Sequence, residues 1–227
     1  DQNMKNAAIK ICGMREGDNI RQVEALHPDL IGMICWNKSP RYACHTPDYL
    51  PQSCRRTGVF VNPSLEDIFR ETERLGLDTI QLHGTETPAF CHEVKIDLQN
   101  ICPNIKLIKA FPIGTEMTMP STSEYETVCD YFLFDTSCPG KGGSGRSFNW
   151  SVLSDYHGHT PFWLSGGIGP EMITELAAFS HPSCVGIDVN SRFESEPGIK
   201  DIQLLHAFIS TLRKKGILHS PFTDQVQ

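Results

Sequence analysis

The stretch Tyr131-Phe-Leu-Phe-Asp135, followed by Thr136-Ser-Cys-Pro-Gly-Lys-Gly-Gly-Ser-Gly145, indicates the fold of this chain. Its first part is a short, aromatic-rich apolar run, which is typical of a buried strand. The run ends on a carboxylate, and the glycines after it suit a backbone that bends sharply and approaches a ligand closely. In α/β barrels the chemistry lies where strands give way to loops. Taken alone, the stretch is better explained by Asp135 as a capping or turn residue before a mobile surface loop.

Similar apolar segments recur along the chain, with helical patterns between them. The predicted strands are Ala8–Cys12, Leu30–Cys35, Gly58–Val61, Thr79–Leu82, Leu107–Ala110, Tyr131–Asp135, Phe162–Ser165 and Val185–Val189. The predicted helices are Asn19–Leu26, one from Ser64 to Gly76, one from Thr87 or Pro88 to about Val94, one beginning at Pro170, and Ile202–Leu212, with weaker signals at Thr46–Gln52, Thr122–Val128 and Trp150–Tyr156. This alternation predicts the α/β class, as a closed (β/α)₈ TIM barrel with a parallel sheet. An open doubly wound sheet is the alternative, because the sequence does not show closure.

Length, composition and charge limit the possible functions. The chain has 227 residues, of which 39% are hydrophobic and 21% charged, so we expect one globular domain over residues 1–227. Residues 1–5 and 218–227 are expected to be loosely ordered. The formal net charge of -7 argues against a broad basic face for nucleic acid. An anionic small molecule would need a local pocket of cations or backbone N–H groups.

The cysteines and the short apolar runs favour a cytoplasmic protein. Nine cysteines occur without a CxxC pair, so zinc-ribbon and thioredoxin-like sites are not indicated. No apolar run approaches the ~18 residues that a membrane span needs. The first residues carry no long apolar segment, so no signal peptide is expected. We therefore expect reduced thiols, no membrane partner and a cytoplasmic location.

The residues at the carboxyl ends of the predicted strands indicate the chemistry, because these ends share one mouth in a barrel. They are Cys12, Arg41, Asn62, His83, Lys109, Asp135, Gly166, Gly167, Asp188, Asn190 and Ser191. A deprotonated thiol can act as a base, and a carboxyl group kept neutral by burial can act as an acid. Turns after strands seven and eight are where barrels bind phosphate on backbone N–H groups. Each residue alone has an ordinary structural interpretation, and only the set predicts an active site.

The motifs of the chain, taken in order, resemble those of the phosphoribosylanthranilate isomerase family over nearly its whole length. They are Lys10-Ile-Cys-Gly13, Ser39-Pro-Arg-Tyr42, Gly58-Val-Phe-Val-Asn62, Gln81-Leu-His-Gly84, Asp135 with Gly142-Gly-Ser-Gly145, Phe148-Asn-Trp150, Ser165-Gly-Gly-Ile168, and Gly186-Ile-Asp-Val-Asn-Ser191 with Glu194. The resemblance implies a barrel that isomerises N-(5-phospho-β-D-ribosyl)anthranilate to 1-(2-carboxyphenylamino)-1-deoxyribulose 5-phosphate in tryptophan biosynthesis. This Amadori rearrangement, an aldose–ketose isomerisation, needs no metal or organic cofactor.

The resemblance also assigns roles to individual residues. Cys12 falls on the family's general base and Asp135 on its general acid, and Arg41 is assigned to the anthranilate carboxylate. The expected phosphate contacts are Gly166, Gly167, Asn190 and Ser191, and the other expected substrate contacts are His83, Asp188, Gly142 and Gly143. The loop Gly140–Gly145 is expected to close over the substrate. Arg192 stands where many family members carry glycine, which adds a cation near the expected phosphate turn.

Two other functions and the assembly of the chain remain open from the sequence. A barrel lyase or aldolase could act on a sugar phosphate through a Schiff base on Lys109. A non-catalytic barrel could bind a phosphorylated ligand without turning it over. The expected partner in each case is a phosphorylated small molecule, and the expected assembly is a monomer or a homodimer.

Overall fold

The computed structural model describes residues 4–113, 118–137 and 150–221, and within them eight parallel strands form a closed barrel. The strands are β1 (Ala8–Ile11), β2 (Leu30–Ile34), β3 (Arg55–Phe60), β4 (Thr79–Leu82), β5 (Lys106–Pro112), β6 (Tyr131–Asp135), β7 (Phe162–Ser165) and β8 (Cys184–Val189). Each strand pairs with the next in sequence, and β8 pairs with β1, where Lys10 lies opposite Asp188. The predicted (β/α)₈ barrel is confirmed, and the open sheet is excluded.

Helices connect several of the strands. They are α1 (Gly17–Glu24), α2 (Leu65–Leu75), α3 (Pro88–Gln99), α4 (Ile173–Ala178) and α5 (Ile202–Lys214), with 3₁₀ turns at Ser123–Tyr125, Trp150–Asp155 and Ser191–Phe193. A short antiparallel pair, β9 (Glu194–Glu196) and β10 (Ile199–Lys200), follows the last of these turns. This pair was not predicted, and it contributes charged side chains beside the barrel mouth.

The best-defined helix boundaries follow from capping. At α2 the Ser64 side chain accepts from the Asp67 N–H, and the Asp67 side chain accepts from the Ser64 N–H, which forms a capping box. Gly76 ends the helix with a φ of 60°, a left-handed conformation that glycine adopts without a steric cost. At α3 the Thr87 hydroxyl accepts from the Phe90 N–H, and Pro88 takes the first helical position.

Four helix predictions are corrected by the structure. Pro170 lies in a turn, closed by the bond from the Met172 N–H to the Gly169 carbonyl, and α4 begins only at Ile173. Segment 46–52 forms no helix, consistent with Pro47 and Pro51, which lack an N–H to donate. The weak predictions at 122–128 and 150–156 correspond to short 3₁₀ turns.

The two ends of the described chain are tied to the barrel. The Met4 N–H donates to the Phe179 carbonyl, and Ala7 forms a parallel bridge with Leu218, which is buried. His219 Nε2 lies 2.7 Å from Asp29 Oδ1. Leu218 and His219 are therefore fixed where a loose tail was expected, and residues 1–3 and 222–227 lie outside the described residues.

Strand alternation separates two apolar regions. Ile9 and Ile11 point outward and pack in the large core beneath the helices. Inside the barrel, a second cluster of Leu30, Ile108, Ala110, Leu133 and Trp163 fills the space between the strands. The barrel interior is therefore a packed core, and the mouth at the carboxyl ends of the strands is where a barrel places its site. Among the residues that the structure describes, no helix is long and apolar enough to cross a membrane.

Replacing Ser64 with Ala is expected to lower the free energy of unfolding by about 1 kcal/mol, because the capping bond to Asp67 is lost. Urea denaturation measures the change. Ser64→Thr keeps the accepting oxygen and serves as the control, with a loss well below that of the alanine variant. Equal losses in the two variants would contradict the capping argument.

Candidate active site

A cavity of about 260 Å³ opens at the carboxyl ends of the barrel strands. Its lining residues are Cys12, Ile34, Val59, Gln81, His83, Asp135, Ser137, Ser165, Gly166, Gly167, Ile168, Asp188, Asn190 and Ser191. The structure thus brings together most of the residues predicted for the site. Arg41 lies beside the cavity, and the predicted contacts Gly142 and Gly143 fall outside the described residues.

Cys12 projects into this cavity from the end of β1. Its N–H donates to the Val189 carbonyl of β8, so the closure of the barrel fixes its backbone. The side chain of Cys12 has room because β2 carries Gly32, where a Cβ atom would lie 2.7 Å from the Cys12 sulfur. Gly32 was missed by the sequence analysis, although its central place in an apolar strand was a usable signal.

A buried lysine accompanies the thiol. Lys10 is two residues before Cys12 on β1, so both side chains point into the barrel, and Lys10 is fully buried. Its Nζ donates to Asp188 Oδ1 at 2.8 Å. Burial disfavours its charge, but Asp188 and Cys12 together raise the pKa of the Lys10 ammonium above its ordinary value. Lys10 is therefore a second functional candidate that the sequence analysis did not assign.

The protonation of Cys12 depends on opposing effects. Burial raises the pKa of the Cys12 thiol above its ordinary value, and the nearby Asp188 carboxylate acts in the same direction. The charges of Lys10 and Lys200 act against this rise. Unless its charged neighbours compensate for burial, the thiol holds its proton.

Asp188, which was predicted to contact substrate, has both of its oxygens engaged by the protein. Oδ1 accepts from Lys10, and Oδ2 accepts from the Ser165 hydroxyl at 2.7 Å. The carboxylate still lines the cavity. In this structure its main contacts fix Lys10 and Ser165 on the two flanking strands.

Asp135 stands at the end of β6 and accepts hydrogen bonds on one oxygen. Its Oδ1 accepts from the Ser137 N–H at 3.0 Å and from the Ser137 hydroxyl at 2.6 Å. Its Oδ2 lies 3.4 Å from His83 Nε2. Burial raises the pKa of Asp135, but His83 and Ser137 together hold it below the ordinary value. In the free protein Asp135 is therefore a carboxylate at neutral pH.

His83 is placed by a buried glutamine on its own strand. Gln81 Nε2 lies 2.9 Å from His83 Nδ1, and the opposite ring nitrogen faces Asp135. The other amide atom, Gln81 Oε1, is buried and has no hydrogen-bond partner among the described residues. Gln81 is a further residue of the cavity whose role was not predicted.

Arg41 forms a charged cluster with the β9–β10 pair. Its Nε and Nη2 donate to both oxygens of Glu194, and the shortest of these bonds is 2.7 Å. Lys200 Nζ also donates to Glu194, at 2.9 Å, and to Asn190 Oδ1, at 3.1 Å. Burial disfavours the Glu194 charge, but Arg41 and Lys200 hold the pKa of Glu194 below its ordinary value. The guanidinium thus meets Glu194 through Nε and Nη2, and Arg41 is not among the residues that line the cavity.

The turn after β7 lies directly against the end of β6. Gly166 and Gly167 have φ angles of 105° and 65°, which favour glycine. A Cβ atom on Gly166 would lie 2.3 Å from the Ser137 N atom, so only glycine allows this approach. Beyond this turn, Arg192 pairs with Glu171 and lies 3.5 Å from the Gly167 carbonyl.

Lys109 does not take part in this cavity. It is buried on the outer side of β5, where its Nζ donates to the Gly84 and Ala110 carbonyls and pairs with Glu86 at 3.2 Å. A Schiff-base lysine must reach the substrate, so the structure gives the lyase alternative no support. Within the described residues, no group of three or more His, Cys, Asp or Glu side chains is arranged to hold a metal ion.

Residues 9–211 match the family model described as N-(5'-phosphoribosyl)anthranilate (PRA) isomerase. The chain belongs to this isomerase family. An isomerase of this name from Phocaeicola vulgatus is 48% identical over 207 residues, covering 91% of this chain and 98% of the relative. That from Parabacteroides distasonis is 46% identical over 210 residues, covering 90% of this chain and 92% of the relative.

Solved structures of isomerases agree with this assignment. The Thermotoga maritima phosphoribosyl anthranilate isomerase aligns with a TM-score of 0.75 and 29% identity, covering 92% of this chain and 99% of that one. Another isomerase structure contains reduced 1-(o-carboxyphenylamino)-1-deoxyribulose 5-phosphate, and it aligns with a TM-score of 0.70 and 25% identity over 92% of this chain and 99% of its own. The chain is therefore an isomerase of tryptophan biosynthesis, as the resemblance implied.

Replacing Gly32 with Ala is expected to lower the kcat of this isomerase at least tenfold, because the new methyl group would displace the Cys12 sulfur. A tenfold loss corresponds to an activation free energy higher by ~1.4 kcal/mol. Gly58→Ala is the matched control, since Gly58 lies opposite Met33 on the neighbouring strand and its Cβ would meet Leu77. The control should lose stability and keep its kcat. A normal kcat in Gly32→Ala would show that the thiol position is not critical.

Proposed function

We propose that this isomerase carries out the Amadori rearrangement with Cys12 as general base and Asp135 as general acid. The observation that carries the proposal is that both side chains line one cavity, from β1 and β6 of the barrel. The furanose oxygen must gain a proton as the ring opens, and a proton must then leave C2 to give an enolamine. A carboxyl group and a thiolate facing one substrate meet these two requirements.

Lys10 supports the role of Cys12 as a base. A thiol as buried as Cys12, which is 5% exposed, needs a positive neighbour to ionise near neutral pH. The ammonium of Lys10 is permanently in place, because it is fully buried and paired with Asp188. Lys200 adds a second positive charge from β10. We infer that the charge of Lys10 lowers the pKa of Cys12 and so favours the thiolate, while Asp188 keeps Lys10 charged and oriented.

The phosphate of the substrate is assigned to the two turns that follow β7 and β8. Gly166 and Gly167 form one turn, and Asn190 and Ser191 form the other, and all four line the cavity. Backbone N–H groups in such turns bind phosphate without an added side chain. This placement puts the sugar of the substrate across the mouth, between the thiol and the carboxyl group.

Arg41 remains the group proposed for the anthranilate carboxylate. It lies over Gly13 beside Asn190, and a Cβ atom on Gly13 would approach both side chains closely. Glu194 occupies Nε and Nη2 of the guanidinium, which leaves Nη1 for the substrate. In this arrangement Glu194 fixes the orientation of Arg41, and a planar guanidinium held in this way suits a carboxylate.

We also propose a cytoplasmic location and retain both expected assemblies. Eight cysteines in the described part of the chain are free thiols, and a thiol base must stay reduced. One solved relative is described as dimeric, and Ile96 and Ile101 are exposed large apolar side chains on the surface of this chain. Monomer or homodimer therefore stays a prediction, which sedimentation of the purified chain distinguishes.

Cys12→Ala and Asp135→Asn are each expected to lower kcat by about 10²–10⁴-fold, the usual contribution of one proton transfer. A fluorescence assay of phosphoribosylanthranilate consumption measures the loss, and binding of a reduced product analogue shows that the site remains formed. Cys44→Ser, at an exposed thiol away from the cavity, is the matched control and should keep full activity. Near-native turnover in both site variants would refute the assigned acid and base.

Lys10→Met is expected to move the acidic limb of the kcat/KM profile to higher pH by about one unit. This shift corresponds to ~1.4 kcal/mol in the free energy of ionising the Cys12 thiol. The sign follows because the Lys10 charge lowers the pKa of Cys12, so its removal raises that pKa and fewer thiolates exist at a given pH. The other groups near Cys12 are Asp188, Lys200 and Cys35.

Asp188→Asn provides the opposite control for Lys10→Met. The Asp188 carboxylate raises the pKa of Cys12, so its neutralisation should move the acidic limb to lower pH. Two shifts of opposite sign would support electrostatic control of the thiol. An acidic limb unmoved in both variants would show that Lys10 serves only to fill the barrel.

A further inference from the structure

We propose that Gln81 and His83 form a proton relay that supplies Asp135 in each turnover, with His83 passing the proton to Asp135 Oδ2. The relay rests on the proposed role of Asp135 as general acid. It answers a difficulty that the geometry raises, since the acid must hold a proton that the free site does not favour.

The contacts of Asp135 in the free protein are those of a carboxylate. Both bonds to Oδ1 come from donors, namely the N–H and the hydroxyl of Ser137. An ionised carboxylate is an acceptor only, and these donors stabilise that form. Asp135 can protonate the ring oxygen only if a neighbour supplies a proton when the substrate is bound.

His83 is the titratable group placed to do so. Its Nε2 faces Asp135 Oδ2 at 3.4 Å, and its side chain is 32% exposed, so water can reach it. Imidazole is the side chain whose charge changes between about pH 5 and 8. A ring that touches both the carboxylate and the solvent can take up a proton on one side and release it on the other.

The other charged groups around the cavity are already committed elsewhere. Lys10 is paired with Asp188, and Lys200 is paired with Glu194. On the outer side of β5, Lys109 pairs with Glu86. Cys12 lines the same cavity, but the proposed mechanism uses its thiol as the base. Among the described residues that line the cavity, His83 is left as the source of the proton for Asp135.

Gln81 can serve both protonation states of His83. As placed, its Nε2 donates to Nδ1 of a neutral ring, while its Oε1 is buried without a partner among the described residues. Rotation of the amide by half a turn exchanges the two atoms, so that Oε1 accepts from the Nδ1–H of an imidazolium. One amide atom of Gln81 therefore meets the ring in either protonation state, while the other lacks a partner among the described residues.

The protons balance over one turnover. In ring opening the His83 Nε2–H bond breaks as a bond forms to Asp135, and Asp135 delivers a proton to the ring oxygen, where it stays. The Cys12 thiolate takes the proton from C2 and returns one to C1 when the enolamine becomes a ketone. In that last step the 2-hydroxyl proton passes to water, and the neutral His83 takes one proton back from water, so that no net proton is gained or lost. No oxidant, metal or other reactant is needed.

The test compares His83→Gln and His83→Ala with the unchanged isomerase. Gln keeps a hydrogen-bond donor for Asp135 but cannot titrate, so kcat is expected to fall about 10²-fold with little change in KM. The descending alkaline limb of the kcat profile, which reports the acid in the enzyme–substrate complex, should disappear. Imidazole added to His83→Ala should restore turnover in a saturable way that follows the imidazolium fraction.

Gln81→Glu gives an independent measurement. Its carboxylate would accept from Nδ1–H and favour the imidazolium, so the alkaline limb should move to higher pH. Gln81→Met, which removes both amide atoms at similar size, should move it to lower pH. If the limb stays in place in both variants while the protein remains folded, the relay is wrong.

The failure of the relay and the failure of the acid assignment give different results. Full turnover in Asp135→Asn would refute the assignment of Asp135 as the general acid, and the relay would fail with it. An inactive Asp135→Asn together with a native kcat and alkaline limb in His83→Gln would overturn only the relay. A third result would also overturn the relay: His83→Ala loses kcat and imidazole does not restore it, while the alkaline limb of His83→Gln stays in place. His83 would then only hold the site in shape.

Discussion

The pairing of β8 with β1 is the constraint on which the rest of this structure depends. It closes the barrel, sets Lys10 opposite Asp188 and fixes the backbone of Cys12 through the Val189 carbonyl. A buried ion pair at this seam stabilises the fold only weakly, because desolvation of both charges offsets much of their attraction. Its consequence is local instead: a positive charge lies permanently beneath the thiol at the mouth of the barrel.

The site divides into two halves with opposite electrostatic needs. On the β1–β8 side, burial and Asp188 raise the pKa of Cys12, and the positive charges of Lys10 and Lys200 act against this rise. On the β4–β6 side, His83 and Ser137 favour an ionised Asp135. The Cys12 thiol acts as a base only when it is ionised, whereas the Asp135 carboxyl group acts as an acid only when it is protonated. The β4–β6 side therefore needs a proton source. This asymmetry is why His83, rather than Asp135 alone, is central to the proposed chemistry.

The sequence predicted the barrel well because its strands are short apolar runs at regular intervals and its helices carry capping residues such as Ser64 and Gly76. Pro170 was misplaced because proline suits a turn as well as a first helical position. Cys12, His83 and Asp135 could be brought to one cavity because the carboxyl ends of parallel strands converge. The engagement of Arg41 by Glu194 could not be foreseen, since it depends on the β9–β10 pair, which has too few residues to give a periodic signal. Lys10 could have been found, because a residue two positions before Cys12 on a strand must share its face.

The central claim is that a thiol on the first strand and a carboxyl group on the sixth act on opposite sides of one sugar. A crystal structure of this chain with reduced 1-(o-carboxyphenylamino)-1-deoxyribulose 5-phosphate, the ligand seen in a solved relative, tests it most directly. We expect C2 of the ligand next to the Cys12 sulfur, and the oxygen derived from the ring within about 2.6–3.2 Å of the Asp135 carboxyl group. A ligand bound with both of these atoms out of reach of Cys12 and Asp135 would contradict the account.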